Sequence, residues 1–147
     1  MNILVTGGAG FIGSAFVRLL VRDGFLDSSA FATKRTVHKI IVVDKLSYAG
    51  DLTRLKEVEG RYRFYRADIC NGKKIRKIFC QERPQLVVHF AAETHVDRSI
   101  KNAKEFLKTN ILGTEVLLDV SRHYKARRFC QVSTDEVYGD IKQGAFA

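Results

Sequence analysis

At 147 residues, 46% of them hydrophobic, the chain is long enough to bury a core, and no apolar run approaches the length of a membrane span. The net charge of +9 comes from Lys and Arg scattered through the sequence, loosely grouped at Lys34-Arg35, Arg54 to Arg66, Lys73 to Lys77 and Arg122 to Arg128. No nucleic-acid motif accompanies that charge, so it reads as solvated helix faces, and neither nucleic acid nor membrane is expected as a partner. Three cysteines, Cys70, Cys80 and Cys130, are odd in number and lack metal-site or C-x-x-C spacing. They are expected to be reduced, mostly buried thiols of a cytoplasmic protein, with no metal site and no signal peptide.

The first element is a short apolar strand, Ile3-Leu4-Val5, followed at once by Thr6-Gly7-Gly8-Ala9-Gly10-Phe11-Ile12-Gly13-Ser14. An amphipathic helix from about Phe11 to Arg22 then carries apolar residues at Ile12, Ala15, Phe16, Leu19 and Leu20 and stops at Gly24. Strand, glycine turn and helix form the context in which G-x-x-G-x-x-G spacing points to a bound nucleotide. Gly7 lets the chain leave the strand tightly, Gly10 lets a backbone approach a pyrophosphate, and Gly13 lets the helix press on the sheet. The free N–H groups of the first helical turn, with roughly half a positive charge from the helix dipole, face that ligand.

Phe25 to Lys39 lacks a period and reads as a loop. Lys39 to Asp44 is a buried parallel strand, apolar on both faces. A short helix over about Asp51 to Val58 precedes a third strand, Tyr62 to Ala67. A helix over roughly Lys73 to Gln81 carries Ile75, Ile78 and Phe79 on one face. Leu86 to Ala91 is a fourth strand, with Pro84 just ahead of it. A long helix from about Asn102 to His123 shows Phe106, Leu107, Ile111 and Leu118 near helical spacing, and Arg128 to Val132 is a fifth strand. This alternation predicts an α/β fold, a doubly wound parallel sheet in the order 3-2-1-4-5.

Ligands of such sheets bind beyond the carboxyl ends of the strands. Asp44 closes the second strand, where a carboxylate accepts hydrogen bonds from an adenine-side ribose and repels a 2′-phosphate, which predicts NAD over NADP. A surface-turn cap is the alternative for Asp44, and Lys45 beside it is able to screen a phosphate. Asp68 with Ile69 reads either as an adenine contact or, for Asp68, as a helix N-cap. Asp135 and Glu136, adjacent in one loop, are able to hold different protonation states, as an acid and base pair requires.

These runs together resemble one family. They are Thr6 to Ser14, Val43 to Leu52, Ala67-Asp68-Ile69-Cys70, His89 to Ile100, Thr109 to Thr114 and Val132 to Asp140. The chain resembles the dTDP-glucose 4,6-dehydratases of the extended short-chain dehydrogenase/reductase superfamily. The Ala-Ala-Glu-Thr-His-Val-Asp-Arg-Ser and Ser-Thr-Asp-Glu-Val-Tyr-Gly-Asp runs carry the likeness most specifically. It covers essentially this whole chain, but only the N-terminal part of a family member.

The resemblance implies a lyase with a nucleotide-sugar substrate, dTDP-glucose or similar. NAD+ oxidises the hexose at C4, water leaves across C5 and C6, and the hydride returns to C6. It places the cofactor at Gly7, Gly10, Phe11, Ile12, Gly13, Asp44, Lys45, Leu46, Ser47, Asp68, Ile69, Phe90, Ala91, Ala92 and Thr109. Thr94 and Thr134 are implied as substrate contacts, with catalytic roles for three residues: Thr134 at the C4 oxygen, Asp135 as acid, Glu136 as base. His95 reads as structural.

The superfamily's Tyr and the Lys four residues on are absent in their expected setting. Tyr138 with Lys142 has the offset, but Gly139-Asp140 is a poor helical spacer. Residues 1–147 are therefore expected to form an incomplete NAD-binding domain, short of the sixth strand and the substrate lobe and inactive alone. The apolar stripe of the last helix, without its partner, is expected to promote self-association. A non-catalytic nucleotide-binding or interaction module on the same scaffold is the other class of function.

Overall fold

The computed structural model describes residues 1–22, 37–95, 102–134, 137, 139 and 144. Five parallel strands form one sheet among these residues, in the order β3-β2-β1-β4-β5. In chain order they are β1 (Asn2–Thr6), β2 (Lys39–Asp44), β3 (Arg63–Arg66), β4 (Leu86–His89) and β5 (Arg128–Gln131). The expected doubly wound fold and strand order are thus observed.

Alternation along the central strands explains the layers, because successive side chains leave opposite faces. Ile3 and Val5 with Ile40, Val42 and Val88 bury against Val17, Leu20 and Val21 of helix α1 (Phe11–Arg22) and against Leu55 and Val58 of a 3₁₀ helix, Leu52–Val58. Leu4, Ile41, Val43 and Val87 face the other way. They meet Ile75, Ile78 and Phe79 of helix α2 (Gly72–Glu82) and Leu117 and Val120 further along. The last helical stretch runs as α3 (Ala103–Phe106), a π-helical turn (Leu107–Gly113) and α4 (Thr114–His123).

Three expectations need correction. Helix α1 buries Gly13, Ser14, Val17, Leu20 and Val21, whereas Ile12 and Leu19 are 62% and 48% exposed. A Cβ on Gly13 would lie 2.2 Å from the Gly7 carbonyl oxygen, so this backbone contact, not the apolar stripe, sets the helix rotation. Second, the long helix is not uniform: its centre is π-helical, a rare form that often marks functional positions. Third, the thiols are not mostly buried. Cys80 and Cys130 are exposed and Cys70 half-buried, because Cys80 lies on the outer face of α2 and Cys130 on the edge strand β5. All three are free thiols.

At the amino end of the sheet, Glu82 has a fully buried carboxylate that accepts from Lys39 (2.9 Å), Arg63 (2.8 Å) and the Tyr65 hydroxyl. Burial pushes this carboxyl up, but those bonds outweigh it and hold its pKa at about 2. The cluster ties α2 to β2 and β3 on the side of the sheet away from the strands' carboxyl ends. No described helix is long and apolar enough to cross a membrane.

Candidate functional site

The carboxyl ends of β1 to β4 open into one pocket. Of the residues expected to bind cofactor, Gly7, Gly10, Asp44, Lys45, Ser47, Asp68, Ile69, Phe90, Ala91, Ala92 and Thr109 line it. Val43, Ala49, Gly50, Ala67 and Glu93, which were not expected, line it too. Phe11, Ile12, Gly13 and Leu46 are not lining residues; Phe11 and Ile12 stand exposed at the start of α1.

The glycine turn is built by close approach. Gly7 has φ +67°, and a Cβ there would sit 2.6 Å from the Ala91 backbone nitrogen. Only a glycine lets the end of β1 lie against the end of β4 in this conformation. The first intrahelical bond of α1 runs from the Ser14 N–H to the Gly10 carbonyl, so the N–H groups of Phe11, Ile12 and Gly13 precede the helical ladder.

Asp44, 9% exposed, is fixed by two backbone donors, Ala9 N–H to Oδ2 (3.0 Å) and Leu46 N–H to Oδ1 (2.8 Å). Each oxygen keeps a lone pair for another donor. The Ala9 carbonyl accepts from Asp51 N–H (2.9 Å) and Arg54 Nη1 (3.0 Å), and Arg54 also donates to the Ala49 carbonyl (2.7 Å). Arg54 thus binds the glycine turn to the loop after β2. Nothing in the spacing of Arg54 marks this role, and by sequence it is one surface charge among many.

At the end of β3, Asp68 Oδ1 accepts the Cys70 N–H at 2.9 Å. The cap of α2 is Asn71, which accepts the Lys74 N–H, so Asp68 is not the N-cap and its carboxylate lines the pocket instead. Burial raises the Asp68 carboxyl, but the bonds to Cys70 and the charges of Lys45 and Lys108 outweigh it and leave its pKa below the ordinary value. The Cys70 thiol is pushed up to about 11 by burial and then by Asp68, so it stays protonated at neutral pH.

The end of β4 is held by a chain of hydrogen bonds. The Thr114 hydroxyl donates to the Asn110 carbonyl (2.8 Å), so it accepts from His89 Nε2–H (3.1 Å). His89 Nδ1 is then bare and accepts the Thr6 hydroxyl (2.6 Å), whose oxygen accepts the Ala91 N–H at 3.4 Å. Burial lowers the pKa of His89 to about 4, consistent with a neutral ring. The Asn110 side chain clamps Glu93, accepting its N–H (2.8 Å) and donating to its carbonyl (2.9 Å). The Glu93 carboxylate pairs with Lys45 at 3.4 Å.

Thr109, in the π-helical turn, is 4% exposed and lines the pocket, yet its hydroxyl has no hydrogen-bond partner among the described residues. A buried orphan hydroxyl is costly and fits a site where a ligand completes the bonding. Gly113 permits the turn's approach: a Cβ there would meet Ile69 at 2.6 Å. Among the described residues no group of His, Cys, Asp or Glu could hold a metal ion. Thr94 and His95 are exposed beyond the pocket lining, His95 with its ring 6.0 Å from that of Tyr48, and Thr134 is exposed after β5. Asp135, Glu136, Tyr138 and Lys142 lie outside the described residues.

Comparison with known proteins agrees with this architecture. A dTDP-glucose 4,6-dehydratase of Escherichia coli is 47% identical over 96% of this chain and 39% of its own length. The structure of the dTDP-glucose 4,6-dehydratase DesIV of Streptomyces venezuelae, solved with NAD bound, superposes with a TM-score of 0.87 at 42% identity, over 99% of this chain and 43% of that one. A UDP-glucose 4-epimerase of Thermotoga maritima, solved with UDP-glucose, gives a TM-score of 0.81 at 37% identity over 97% of this chain and 41% of that one. The chain therefore spans about two-fifths of the length of the relatives it matches. With the family model described as GDP-mannose 4,6 dehydratase matching residues 4–147, the chain belongs to that family, and its expected likeness to the dTDP-glucose 4,6-dehydratases is borne out.

Proposed function

We propose that this chain is the NAD-binding portion of a dTDP-glucose 4,6-dehydratase-like lyase, incomplete as a catalyst by itself. The observation that carries the reading is a pocket with the fixed Asp44 carboxylate at one strand end and the unpartnered Thr109 hydroxyl across it. Both fit a dinucleotide: the spare lone pairs of Asp44 suit ribose hydroxyls, and the Thr109 hydroxyl needs a polar partner.

In this reading the N–H groups of Phe11, Ile12 and Gly13 receive the pyrophosphate. Asp68 and Ile69 hold the adenine, and Phe90, Ala91 and Ala92 form the floor beneath the nicotinamide-side ribose. When bound, NAD+ would supply the redox chemistry, accepting a hydride from C4 of the hexose and returning it to C6. Thr94 and Thr134 orient the sugar, Asp135 protonates the departing C6 hydroxyl and Glu136 removes the C5 proton. These last roles rest on the matched sequence run. The substrate class is a nucleotide-linked hexose, and the setting is cytoplasmic, without nucleic acid or membrane as partner.

A non-catalytic nucleotide-binding module is the second reading. It rests on the setting of Tyr138 and Lys142, the one pair with the required offset, whose Gly139-Asp140 spacer suits a helix poorly. An assay for the 4-keto product, with NAD+ and dTDP-glucose added, decides for the lyase reading if product forms, whereas NAD+ binding without product agrees with both. We expect NAD+ to bind and no product to form from this chain alone. Product formation that disappears in Tyr138→Phe would show that Tyr138 and Lys142 do serve as the base pair.

A further inference from the structure

We propose that Glu93 is a cofactor-selectivity residue: by holding the Lys45 ammonium it withholds that cation from a phosphate on the adenosine ribose and so favours NAD+ over NADP+. The inference rests on the dinucleotide reading above and adds to it a residue that acts through another.

The charge lining the pocket is uneven. Asp44, Asp68 and Glu93 contribute carboxylates, and Lys45 is the one cation among the described lining residues. On a chain of net charge +9 this local excess of negative charge is a property of the site, not of the composition. Asp44 alone would repel a 2′-phosphate, but the next residue along the chain is a lysine on a flexible four-carbon stem. Left free, that stem starts beside the ribose-binding carboxylate and is able to swing toward a phosphate there.

Lys45 is not free. Its Nζ lies 3.4 Å from Glu93 Oε1, and its charge also acts on Asp68. Glu93 is not a loose rim residue. Its side chain is 11% exposed, and the Asn110 amide holds its backbone at both N–H and carbonyl. The carboxylate is therefore presented to Lys45 from a fixed support, and breaking the pair would leave a mostly buried charge without its cation. A 2′-phosphate must meet that cost to recruit Lys45, whereas a 2′-hydroxyl needs only Asp44.

Glu93→Gln tests this directly, because it keeps the side-chain shape and the backbone clamp and removes the charge. NAD+ and NADP+ are titrated calorimetrically into the full chain, into Glu93→Gln and into the double variant Glu93→Gln/Lys45→Met. The ratio of the NADP+ to the NAD+ dissociation constant is expected to fall by roughly threefold to tenfold in Glu93→Gln and to return to the wild-type value in the double variant. Glu93→Ala, which frees Lys45 by truncation, is expected to shift the ratio in the same direction. An unchanged ratio, equal gains for both dinucleotides (Lys45 then serving the shared pyrophosphate), or a shift that survives loss of Lys45 would each overturn the assignment. A wild-type chain that binds neither dinucleotide overturns the cofactor reading and this assignment with it. One that binds NAD+ with an unmoved ratio in the variants overturns this assignment alone.

Discussion

The Thr6 hydroxyl lies 2.6 Å from His89 Nδ1, and this buried contact locks the ends of β1 and β4 together directly beneath the pocket. His89 reaches on to Thr114, so one neutral imidazole connects the glycine turn to helix α4. The bonding fixes the proton on Nε2. Nitrogen chemical shifts of His89 are therefore expected to report the Nε2–H tautomer throughout the neutral range, and an Nδ1–H tautomer would break the assigned chain of donors.

The same ring makes stability depend on pH. The folded-state pKa of His89, about 4, lies below its ordinary value of 6.5, so between those values the unfolded chain holds a proton that the native ring refuses. Its stabilising contribution is complete above about pH 6.5 and is lost as pH falls toward 4, by ~3 kcal/mol in all. The Glu82 contribution is lost lower, as pH falls from 4.5 through about 2, so of these two groups it is His89 that acts between 6.5 and 4.5. Urea unfolding across that interval is expected to show a slope that His89→Gln flattens.

Gly7→Ala is expected to destabilise the fold by at least about 2 kcal/mol and to abolish dinucleotide binding. The new Cβ would lie 2.6 Å from Ala91 N and 2.8 Å from the Phe90 carbonyl carbon, both backbone atoms of the pocket floor. Denaturant titration checks the stability loss; a variant as stable as wild type would contradict the close approach.

How legible the site was in the sequence depended on the range of each interaction. The strands were plain because Ile40 to Val43 are buried on both faces, and the glycine turn was plain because strand and helix flank it locally. Asp44 was legible as a charge at the end of an apolar run. The rotation of α1 was not, since Ile12 and Leu19 are apolar but exposed and the Gly13 contact decides the face. The role of His89 as a bridge could not be seen, because its partners Thr6 and Thr114 are 83 and 25 residues away in sequence. Neither could the π-helical turn that buries Thr109, since such turns interrupt otherwise α-helical stretches and the apolar spacing here reads as one continuous helix.

The exposed face of the last helical stretch supports the expectation of self-association. Leu107, Ile111, Leu112 and Leu118 are 56%, 57%, 57% and 47% exposed, while Leu117 and Val120 on the opposite side are buried. Contiguous exposed apolar surface is found at association sites and at aggregation-prone surfaces alike. Sedimentation at rising concentration is expected to show assembly that the double variant Ile111→Asp/Leu118→Glu reduces; a strictly monomeric wild type would contradict it.

Binding of NAD+ at the end of β2 is tested most directly by titrating NAD+ and NADP+ into the chain and into Asp44→Ala. The carboxylate is buried and aligned by Ala9 and Leu46, so with the cofactor placed here its loss would remove charged hydrogen bonds to a bound ribose. NAD+ affinity is expected to fall by about 1–3 kcal/mol, with NADP+ weakened less or not at all because the repulsion of its phosphate is relieved. Equal weakening of both dinucleotides, or no binding of NAD+ by the unaltered chain, would contradict the placement of the cofactor at Asp44.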